Sequence, residues 1–249
     1  MNNNMKIYIV NLEKDVERKA SIKAQLDDLN LDYEFISAVY GKNLTQEEIS
    51  RLSPDFEKTS LTLPELGCAL SHINIYKKIV EHNDNIALIL EDDIKINSDI
   101  IEIINYISKK NNSNKANVII LGKVNEYIDN FKERINKKYS IATAIDSSGT
   151  YCYCVNNLAA KKLLQFLQPV WLVADEWKLM REKNIIRLKA IVPSPITFTE
   201  HANNSTISNE KRVENTNFDI IKRKRSVIES IRLIFWRIFI RSWVRKIRP

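Results

Sequence analysis

Residues 88–96, LILEDDIKI, place three consecutive acidic side chains directly after an apolar run. The run from Ile86 to Leu90 predicts a strand buried on both faces, as in the interior of a parallel sheet. Carboxylates are rarely buried without partners, so three of them at the end of such a strand require a positive charge or water beside them. Ligands of α/β sheets bind at the carboxyl ends of strands. The stretch therefore predicts an α/β fold with a ligand site at residues 91–93.

Strand and helix patterns alternate through most of the chain. Apolar runs predict further strands at 6–10, 33–37, 117–121, 139–145 and 150–155, and helical spacing predicts helices at 14–29, 99–107 and 157–167. Thr45 followed by Glu48 predicts a helix start with a capping box, and Pro64 fits the first turn of another helix. This alternation predicts a mostly parallel sheet covered on both faces.

The positive charge of the chain is concentrated near its C-terminus. The 249 residues carry a net charge of +7. Residues 220–249 contain ten Lys/Arg and one acidic residue, which is +9, so the first 219 residues keep 28 of 38 basic and 30 of 31 acidic residues, which is −2. A nearly neutral body with a basic tail argues against nucleic-acid binding by the body.

The basic tail also has an amphipathic pattern. In residues 231–249, IRLIFWRIFIRSWVRKIRP, a helix would place apolar and aromatic side chains opposite one row of arginines: Arg237, Arg241, Arg245 and Arg248. Arg at every fourth position excludes a spanning helix, which needs ~20 mostly apolar residues. The pattern is typical of a helix on an anionic membrane surface, an effect that KRKR at 222–225 would strengthen. A core-packing helix and a helix that binds an acidic protein are the alternatives.

The three cysteines, Cys68, Cys152 and Cys154, form no C-x-x-C pair. Their number and spacing argue against a disulfide framework or a zinc knuckle, and favour small core residues in a reducing compartment. No secretory signal is visible at the start of the sequence.

Two groups of residues have the composition of a functional site. If the strand continues through the acids, Glu91 and Asp93 point to one side and Asp92 to the other. Two carboxylates aimed at one point favour a hard cation, Mg²⁺ or Mn²⁺, and a solvated acidic turn is the alternative. Ser71 and His72 are adjacent on a predicted helix and face different directions, which excludes a catalytic triad.

Several segments, taken in order, resemble glycosyltransferase family 25, the bacterial lipopolysaccharide glycosyltransferases, which are also similar to the collagen galactosyltransferases. The resemblance covers about residues 6–207. It rests on YIVNLEKDVERKASIKAQLDDLNLDYEFISAVYGKNLT (8–45), ELGCALSH (65–72), LILEDDI (88–94) and GTYCYCVNNLAAKKLL (149–164). Within them the motif residues are Asn11-Leu12 with Arg18, Gly67-Cys68 with Ser71-His72, and Leu90 to Asp93. Tyr40 departs from the family pattern, which has Asp before the glycine of this segment.

The resemblance implies a GT-A-type fold: a Rossmann-like, mostly parallel sheet with flanking helices, here followed by an amphipathic helical tail. It implies a UDP-sugar-dependent hexosyltransferase, a β-galactosyltransferase that works with inversion on lipooligosaccharide, lipopolysaccharide or another surface glycan. Glu91 and Asp93 would hold Mn²⁺ or Mg²⁺, with His201 as a third ligand. The donor-binding residues implied are Asn11, Leu12, Arg18, Ser71, His72 and Asp92.

The general base that inversion requires is expected in LVADEWKLM (172–180). Asp175 and Glu176 follow an apolar run there and open a predicted helix, and the family places an acidic residue at this point. Acidic residues that stabilise a helix N-terminus are the alternative.

The predicted organisation is a catalytic domain over 1–215 and a membrane-associating tail over 216–249. The tail would hold the protein in the cytoplasm, on the inner face of the cytoplasmic membrane, where a lipid-linked oligosaccharide acceptor is presented. The alternatives are a catalytically silent, membrane-tethered glycan-binding or scaffold protein of the same fold, and a metal-dependent phosphohydrolase.

Overall fold

A computed structural model describes residues 5–199, 224, 226–240 and 243–249. Within this part of the chain, strands form one large sheet and a two-stranded ribbon between helices. The strands are β1 (Lys6–Asn11), β2 (Glu34–Ser37), β3 (Ile86–Glu91), β4 (Ile94–Ile96), β5 (Asn117–Ile120), β6 (Glu126–Arg134), β7 (Ser140–Asp146), β8 (Cys152–Asn156), β9 (Arg187–Val192), β10 (Ile196–Phe198) and β11 (Lys246–Ile247). The α-helices are α1 (Val16–Asp28), α2 (Gln46–Leu52), α3 (Leu63–Glu81), α4 (Ile100–Lys110), α5 (Asn157–Leu167), α6 (Trp177–Glu182) and α7 (Val227–Phe235).

The large sheet has nine strands in the order β11-β6-β7-β9-β5-β8-β3-β1-β2, and β4 pairs with β10 separately. Six of the nine strands run in one direction, and β7, β8 and β11 run against them. This confirms the predicted α/β class and the dominant strand direction. The sheet is nevertheless mixed, because β8 lies antiparallel between β3 and β5.

Helices cover both faces of the sheet, and the strands send alternate side chains to each. Tyr8 packs with α3, α5 and α6 on one face, whereas Ile7 and Ile9 pack with α1 and α4 on the other. Cys152 and Cys154 are fully buried on the α1 face, which confirms their prediction as core residues. Both sides of the buried strands are therefore dry, as their continuous apolar runs indicated.

Most of the element predictions are confirmed to within a few residues. Thr45 and Glu48 form the predicted capping box of α2, and Thr62 forms a second box with Glu65 at the start of α3, where Pro64 lies in the first turn. The sequence prediction missed five strands: β4, β6, β9, β10 and β11. The longest of these, β6, has half-buried or exposed side chains throughout, so it lacks an apolar pattern.

The helical prediction for the tail is correct only in part. The chain is helical from Val227 to Phe235 and continues as a π-helical turn to Ile240. Near its end it forms β11, which pairs with β6. Within the described residues, no helix is both long and apolar enough to cross a bilayer.

Ion pairs accompany the pairing of the tail with β6. Lys246 and Arg248 each form an ion pair with Glu126, at 3.6 and 3.3 Å. The Arg245 side chain pairs with the Asp129 carboxylate at 3.6 Å, and the Arg245 carbonyl accepts a hydrogen bond from the Asp129 N–H. These cations contact the sheet, so the predicted arginine row does not extend to Arg245 and Arg248.

Candidate active site

A cleft opens at the carboxyl ends of β1, β2 and β3, as the acidic stretch predicted. Its lining combines the ends of these strands with α1, α3 and the segment that follows β2. The lining residues are Val10, Asn11, Leu12, Asp15, Arg18, Ala38, Val39, Tyr40, Gly41, Pro64, Cys68, Ser71, His72, Glu91, Asp92 and Asp93.

Helix α3 forms one wall of the cleft by packing directly on the backbone that follows β2. A Cβ atom at Gly67 would lie 2.4 Å from the Val39 carbonyl oxygen and 2.5 Å from the Gly41 nitrogen, so only glycine fits there. The Ser71 hydroxyl accepts a hydrogen bond from the Val39 N–H (2.8 Å) and donates to the Gly67 carbonyl (2.7 Å). Ser71, predicted to bind the donor, therefore lines the cleft and also fixes this wall.

Asp92 and Asp93 share one guanidinium. Nη2 of Arg18 lies 2.6 Å from an Asp92 carboxylate oxygen and 2.9 Å from one of Asp93. The second Asp92 oxygen accepts a hydrogen bond from the Asn11 side-chain amide at 2.6 Å. The Asp15 carboxylate lies 3.9 Å from Arg18. One arginine therefore holds the acidic turn against β1 and α1.

The predicted division of the acids by the strand pleat is wrong. Strand β3 ends at Glu91, and Asp92 and Asp93 lie in the turn before β4. Because the alternation of side chains ends with the strand, Asp92 does not point away from Asp93, and all three carboxylates line the cleft.

Glu91 contacts a different set of partners from the two aspartates. Its Oε1 accepts a hydrogen bond from the Thr150 hydroxyl and lies 3.5 Å from Nε2 of His72. His72 is buried, and its Nδ1 is hydrogen-bonded to the Tyr153 hydroxyl at 2.8 Å. Tyr153 is in turn 2.8 Å from the Tyr76 hydroxyl. Glu91 thus contacts Thr150, just before β8, and His72 of α3, whereas Asp92 and Asp93 contact Arg18.

The electrostatic environment differs between the three carboxylates. Burial, followed by the charge of Glu91, raises the pKa of Asp93 to about 6, although Arg18 opposes the shift. Burial also raises the pKa of Asp92. For Glu91, burial acts upward but is outweighed by His72, Thr150 and Arg18, and the pKa is lowered. The cleft therefore carries more negative charge than Arg18 alone neutralises.

The raised pKa of Asp93 predicts that the free energy of unfolding of the metal-free protein depends on pH. Because the pKa of Asp93 is raised by folding, the folded state binds more protons than the unfolded state between about pH 4 and pH 6, and stability falls as pH rises. In EDTA, the free energy of unfolding of wild type relative to Asp93→Asn should fall by about 2–3 kcal/mol across this window. Urea denaturation at several pH values measures it, and a constant difference would contradict the assignment.

The carboxylate oxygens in the cleft are suitable ligands for a hard divalent cation. Asp93 has one buried carboxylate oxygen without a hydrogen-bond partner, and the Glu91 carboxylate lines the same cleft. Carboxylate oxygens are the ligands that Mg²⁺ and Mn²⁺ prefer, and a cation would offset the excess negative charge. Glu91 and Asp93 therefore fit the predicted metal role. His201, the predicted third ligand, lies outside the described residues.

Asp175, the predicted base, contacts the segment that leads into β8. Asp175 accepts a hydrogen bond from the Gly149 N–H at 2.8 Å, and the Trp177 indole donates to the Gly149 carbonyl at 2.9 Å. Burial, Glu91 and Asp175 together raise the pKa of Tyr151 to about 12, so both carboxylates act on the same ring. Glu176 is the residue that precedes α6. Neither Asp175 nor Glu176 is among the residues that line the cleft.

The remaining residues predicted to bind the sugar donor lie together at the end of β1. Asn11 and Leu12 line the cleft beside Arg18. Tyr40, the departure from the family pattern, also lines it, and the Lys14 ammonium lies 3.9 Å above its ring centre.

Two polar residues to which the sequence prediction gave no role contact the site: Thr150, and Tyr153 of the family's Gly-x-x-x-Tyr segment. Thr150 lies just before β8 and Tyr153 within it, and because β8 runs antiparallel to β3, both reach the acidic end of β3 from a distant part of the chain. The signal was the quoted segment GTYCYC, whose alternation places Tyr153 on the opposite face of the sheet from Cys152 and Cys154.

The fold and the acidic cleft are those of an α/β protein with a candidate ligand site at the carboxyl ends of parallel strands. The sequence model described as glycosyltransferase family 25 (LPS biosynthesis protein) matches residues 4–178. The protein belongs to this family, which confirms the resemblance predicted from the sequence.

Curated relatives agree with this family. Procollagen galactosyltransferase 1-A of Xenopus laevis is 30% identical over 168 residues, which are 64% of this chain and 28% of the relative. A glycosyltransferase 25 family member of Anopheles gambiae is 37% identical over 97 residues, 36% of this chain and 16% of the relative. The matches thus span less than a third of the length of these relatives.

One solved structure resembles the fold of this chain weakly. Mannose-1-phosphate geranyltransferase from Thermus thermophilus covers 78% of this chain, and this chain covers 75% of it, with a TM-score of 0.37 and 10% identity.

Proposed function

We propose that this protein transfers a hexose from a UDP-sugar to a glycan acceptor, in a reaction that requires Mn²⁺ or Mg²⁺. The observation that carries the proposal is the cleft at the ends of β1 and β3, where Glu91, Asp92 and Asp93 exceed the positive charge of Arg18. Relatives from two animals support galactose as the hexose by their names, procollagen galactosyltransferase 1-A and 1-B of Xenopus laevis and procollagen galactosyltransferase 1 of Danio rerio. A lipooligosaccharide or lipopolysaccharide is the proposed acceptor.

The chemistry of sugar transfer gives each group a role. A diphosphate leaving group must have its charge neutralised as the glycosidic bond breaks, and a cation held by Glu91 and Asp93 would supply that Lewis acidity. Arg18 and the Asn11 amide position the acidic turn from α1 and β1. Asp175 is the proposed base that takes the proton of the acceptor hydroxyl, on the face opposite the leaving group if transfer inverts the anomeric centre.

A donor screen tests this function. Purified full-length protein is incubated with UDP-galactose, UDP-glucose or UDP-N-acetylglucosamine, with and without Mn²⁺ and with and without de-galactosylated lipooligosaccharide, and UDP release is measured. We expect release that requires both the cation and the acceptor. Release of inorganic phosphate without acceptor would instead identify a phosphohydrolase, and donor binding without turnover would identify a silent glycan-binding protein.

We further propose that the tail holds the protein on an anionic membrane surface, the inner face of the cytoplasmic membrane, near a lipid-linked acceptor. Large apolar side chains of the tail are exposed to an unusual degree: Val227, Ile228, Ile231, Ile234, Phe235, Ile238, Phe239 and Trp243. The sequence places KRKR (222–225) directly before them. Exposed apolar side chains beside a cluster of cations are the composition of an interfacial helix.

Liposome flotation tests the membrane proposal in the full chain. The triple variant Ile231→Ser, Phe235→Ser, Ile238→Ser should lose most of its flotation with phosphatidylglycerol vesicles, because it removes apolar area that would enter the interface. Val16→Ser is the matched control, since Val16 is 66% exposed and lies on α1, near the opposite edge of the sheet. Equal flotation of the triple variant and wild type would refute the role.

A further inference from the structure

A second set of metal ligands meets at the inner wall of the cleft. Cys68 and His72 are four residues apart on α3 and so share one face of the helix. Glu91 approaches them from the end of β3. The candidate ligand atoms of these three residues all lie within 4.8 Å of one another. Asp92 and Asp93, which Arg18 holds, are not part of this group.

His72 provides an independent sign that a ligand belongs here. Its side chain is 1% exposed, and Nε2 makes no well-formed hydrogen bond, since Oε1 of Glu91 lies 3.5 Å away, a contact that is an ion pair only when the ring is protonated. Buried polar nitrogens are nearly always paired, so an orphaned one indicates an unfilled interaction. The other ring nitrogen, Nδ1, is fixed by the Tyr153 hydroxyl at 2.8 Å.

The arrangement around the ring is that of a metal-binding histidine. Such residues bind the metal through one nitrogen and donate the other N–H to a polar group that fixes the tautomer and the ring orientation. Tyr153 can accept from Nδ1 because its own hydroxyl proton can be donated to the Tyr76 oxygen, 2.8 Å away. Thr150 similarly donates to Glu91, so two of the three candidate ligands are oriented by hydrogen bonds.

We propose that Cys68, His72 and Glu91 form a second metal site, selective for Zn²⁺ or a similar soft divalent transition metal. A thiolate, an imidazole and a carboxylate are the ligands that proteins use for Zn²⁺, whereas Mg²⁺ and Mn²⁺ prefer oxygen alone. On binding, the Cys68 thiol releases its proton to solvent, His72 binds as the neutral ring through Nε2, and Glu91 binds as the carboxylate. The fourth position stays open to water.

The position of this site gives it a regulatory consequence, which rests on the proposed function. Glu91 is common to both ligand sets, whereas Cys68 and His72 belong to one and Asp93 to the other. Zn²⁺ bound at Cys68 therefore withdraws Glu91 from the cation that sugar transfer needs. Zn²⁺ inhibits transfer by competition with Mn²⁺ in this scheme.

Cobalt absorption and zinc calorimetry test the site without any turnover. Reduced, EDTA-treated full-length protein is titrated with Co²⁺, and we expect a thiolate-to-cobalt charge-transfer band. Cys68→Ala should lose this band and bind Zn²⁺ at least about tenfold more weakly, and Tyr153→Phe should keep the band but bind about tenfold more weakly.

Cys152→Ala is the matched control, since Cys152 is buried on the opposite face of the sheet. Circular dichroism checks that each variant is folded, and Cys68→Ser is the second variant at the ligand position.

The outcomes separate this proposal from the function of the enzyme. Equal Zn²⁺ affinity of wild type and Cys68→Ala, or a cobalt spectrum without the thiolate band, overturns the site. Zn²⁺ inhibition that is relieved by Mn²⁺ in wild type and weakened at least about tenfold in Cys68→Ala supports the competition, and equal inhibition of both overturns it. If no sugar donor is turned over, the proposed function fails, and the cobalt band still decides the metal site.

Discussion

Asp93→Asn is expected to lower cation-dependent sugar transfer by at least about a hundredfold. Asp93 offers a buried carboxylate oxygen without a protein partner, and the substitution replaces an anionic ligand with a neutral amide of the same shape. A bound cation contributes several kcal/mol of transition-state stabilisation, and each 1.36 kcal/mol is a factor of ten in rate. Glu91→Gln should have a comparable effect for the same reason.

The measurement is UDP release at saturating donor over a range of Mn²⁺ concentrations. Both variants should need more Mn²⁺ as well as showing a lower maximal rate. Asp84→Asn is the matched control, because Asp84 lies just before the amino end of β3 and binds the Tyr8 hydroxyl at 2.7 Å, far from the acidic turn. Turnover of Asp93→Asn and Glu91→Gln at the rate of Asp84→Asn would show that the metal assignment is wrong.

Arg18→Ala is expected to destabilise the metal-free protein by about 3 kcal/mol at pH 7. The substitution leaves two carboxylates in the cleft without their shared cation, and breaking a buried ion pair from one side costs about 3–5 kcal/mol. The lower end applies because the Arg18 side chain is 19% exposed. The cost should shrink toward pH 5, because Asp93, whose pKa is already raised, can take up a proton when Arg18 is removed.

Urea denaturation in EDTA measures this effect. Lys23→Ala is the matched control on the same helix, because Lys23 pairs with Asp27 at 2.6 Å on the exposed side of α1 and its loss should change stability little. Arg18→Lys keeps the charge but replaces the guanidinium with an ammonium of different shape and reach, so its stability should fall between those of wild type and Arg18→Ala. An Arg18→Ala variant as stable as Lys23→Ala would show that the guanidinium is not needed to hold the acidic turn.

The sequence predicted where the acidic cleft lies, because that place depends on local patterns. An apolar run followed by acids is enough to locate the carboxyl end of β3, and the family motifs placed Asn11, Arg18 and His72 at the same end of the sheet. What the alternation could not predict was the direction of each acid. Side chains alternate between the two faces of a sheet only within a strand. Strand β3 ends at Glu91, so this alternation does not determine the direction of Asp92.

The partners of Glu91 could not be predicted from the sequence, for a different reason. Thr150 lies 59 residues from Glu91 in the sequence, and it meets Glu91, together with Tyr153, only because β8 is inserted antiparallel between β3 and β5. Such long-range strand pairing leaves no periodic signal in either segment. The tail is a second case of long-range pairing. Its helical spacing continues to the last residues, yet the end of the chain pairs with β6 and contacts Glu126 and Asp129 of that strand.

The pairing of β11 with β6 has a geometric consequence for the acceptor. Helix α7 is held near its start by Lys183, which lies 3.6 Å from Glu229, and the chain beyond it is held by the sheet. The chain is therefore attached to the body on both sides of the helix. If α7 rests on a membrane, these attachments limit how far the cleft can lie from the lipid, and the length of the glycan between lipid and acceptor hydroxyl becomes a criterion for selecting substrates.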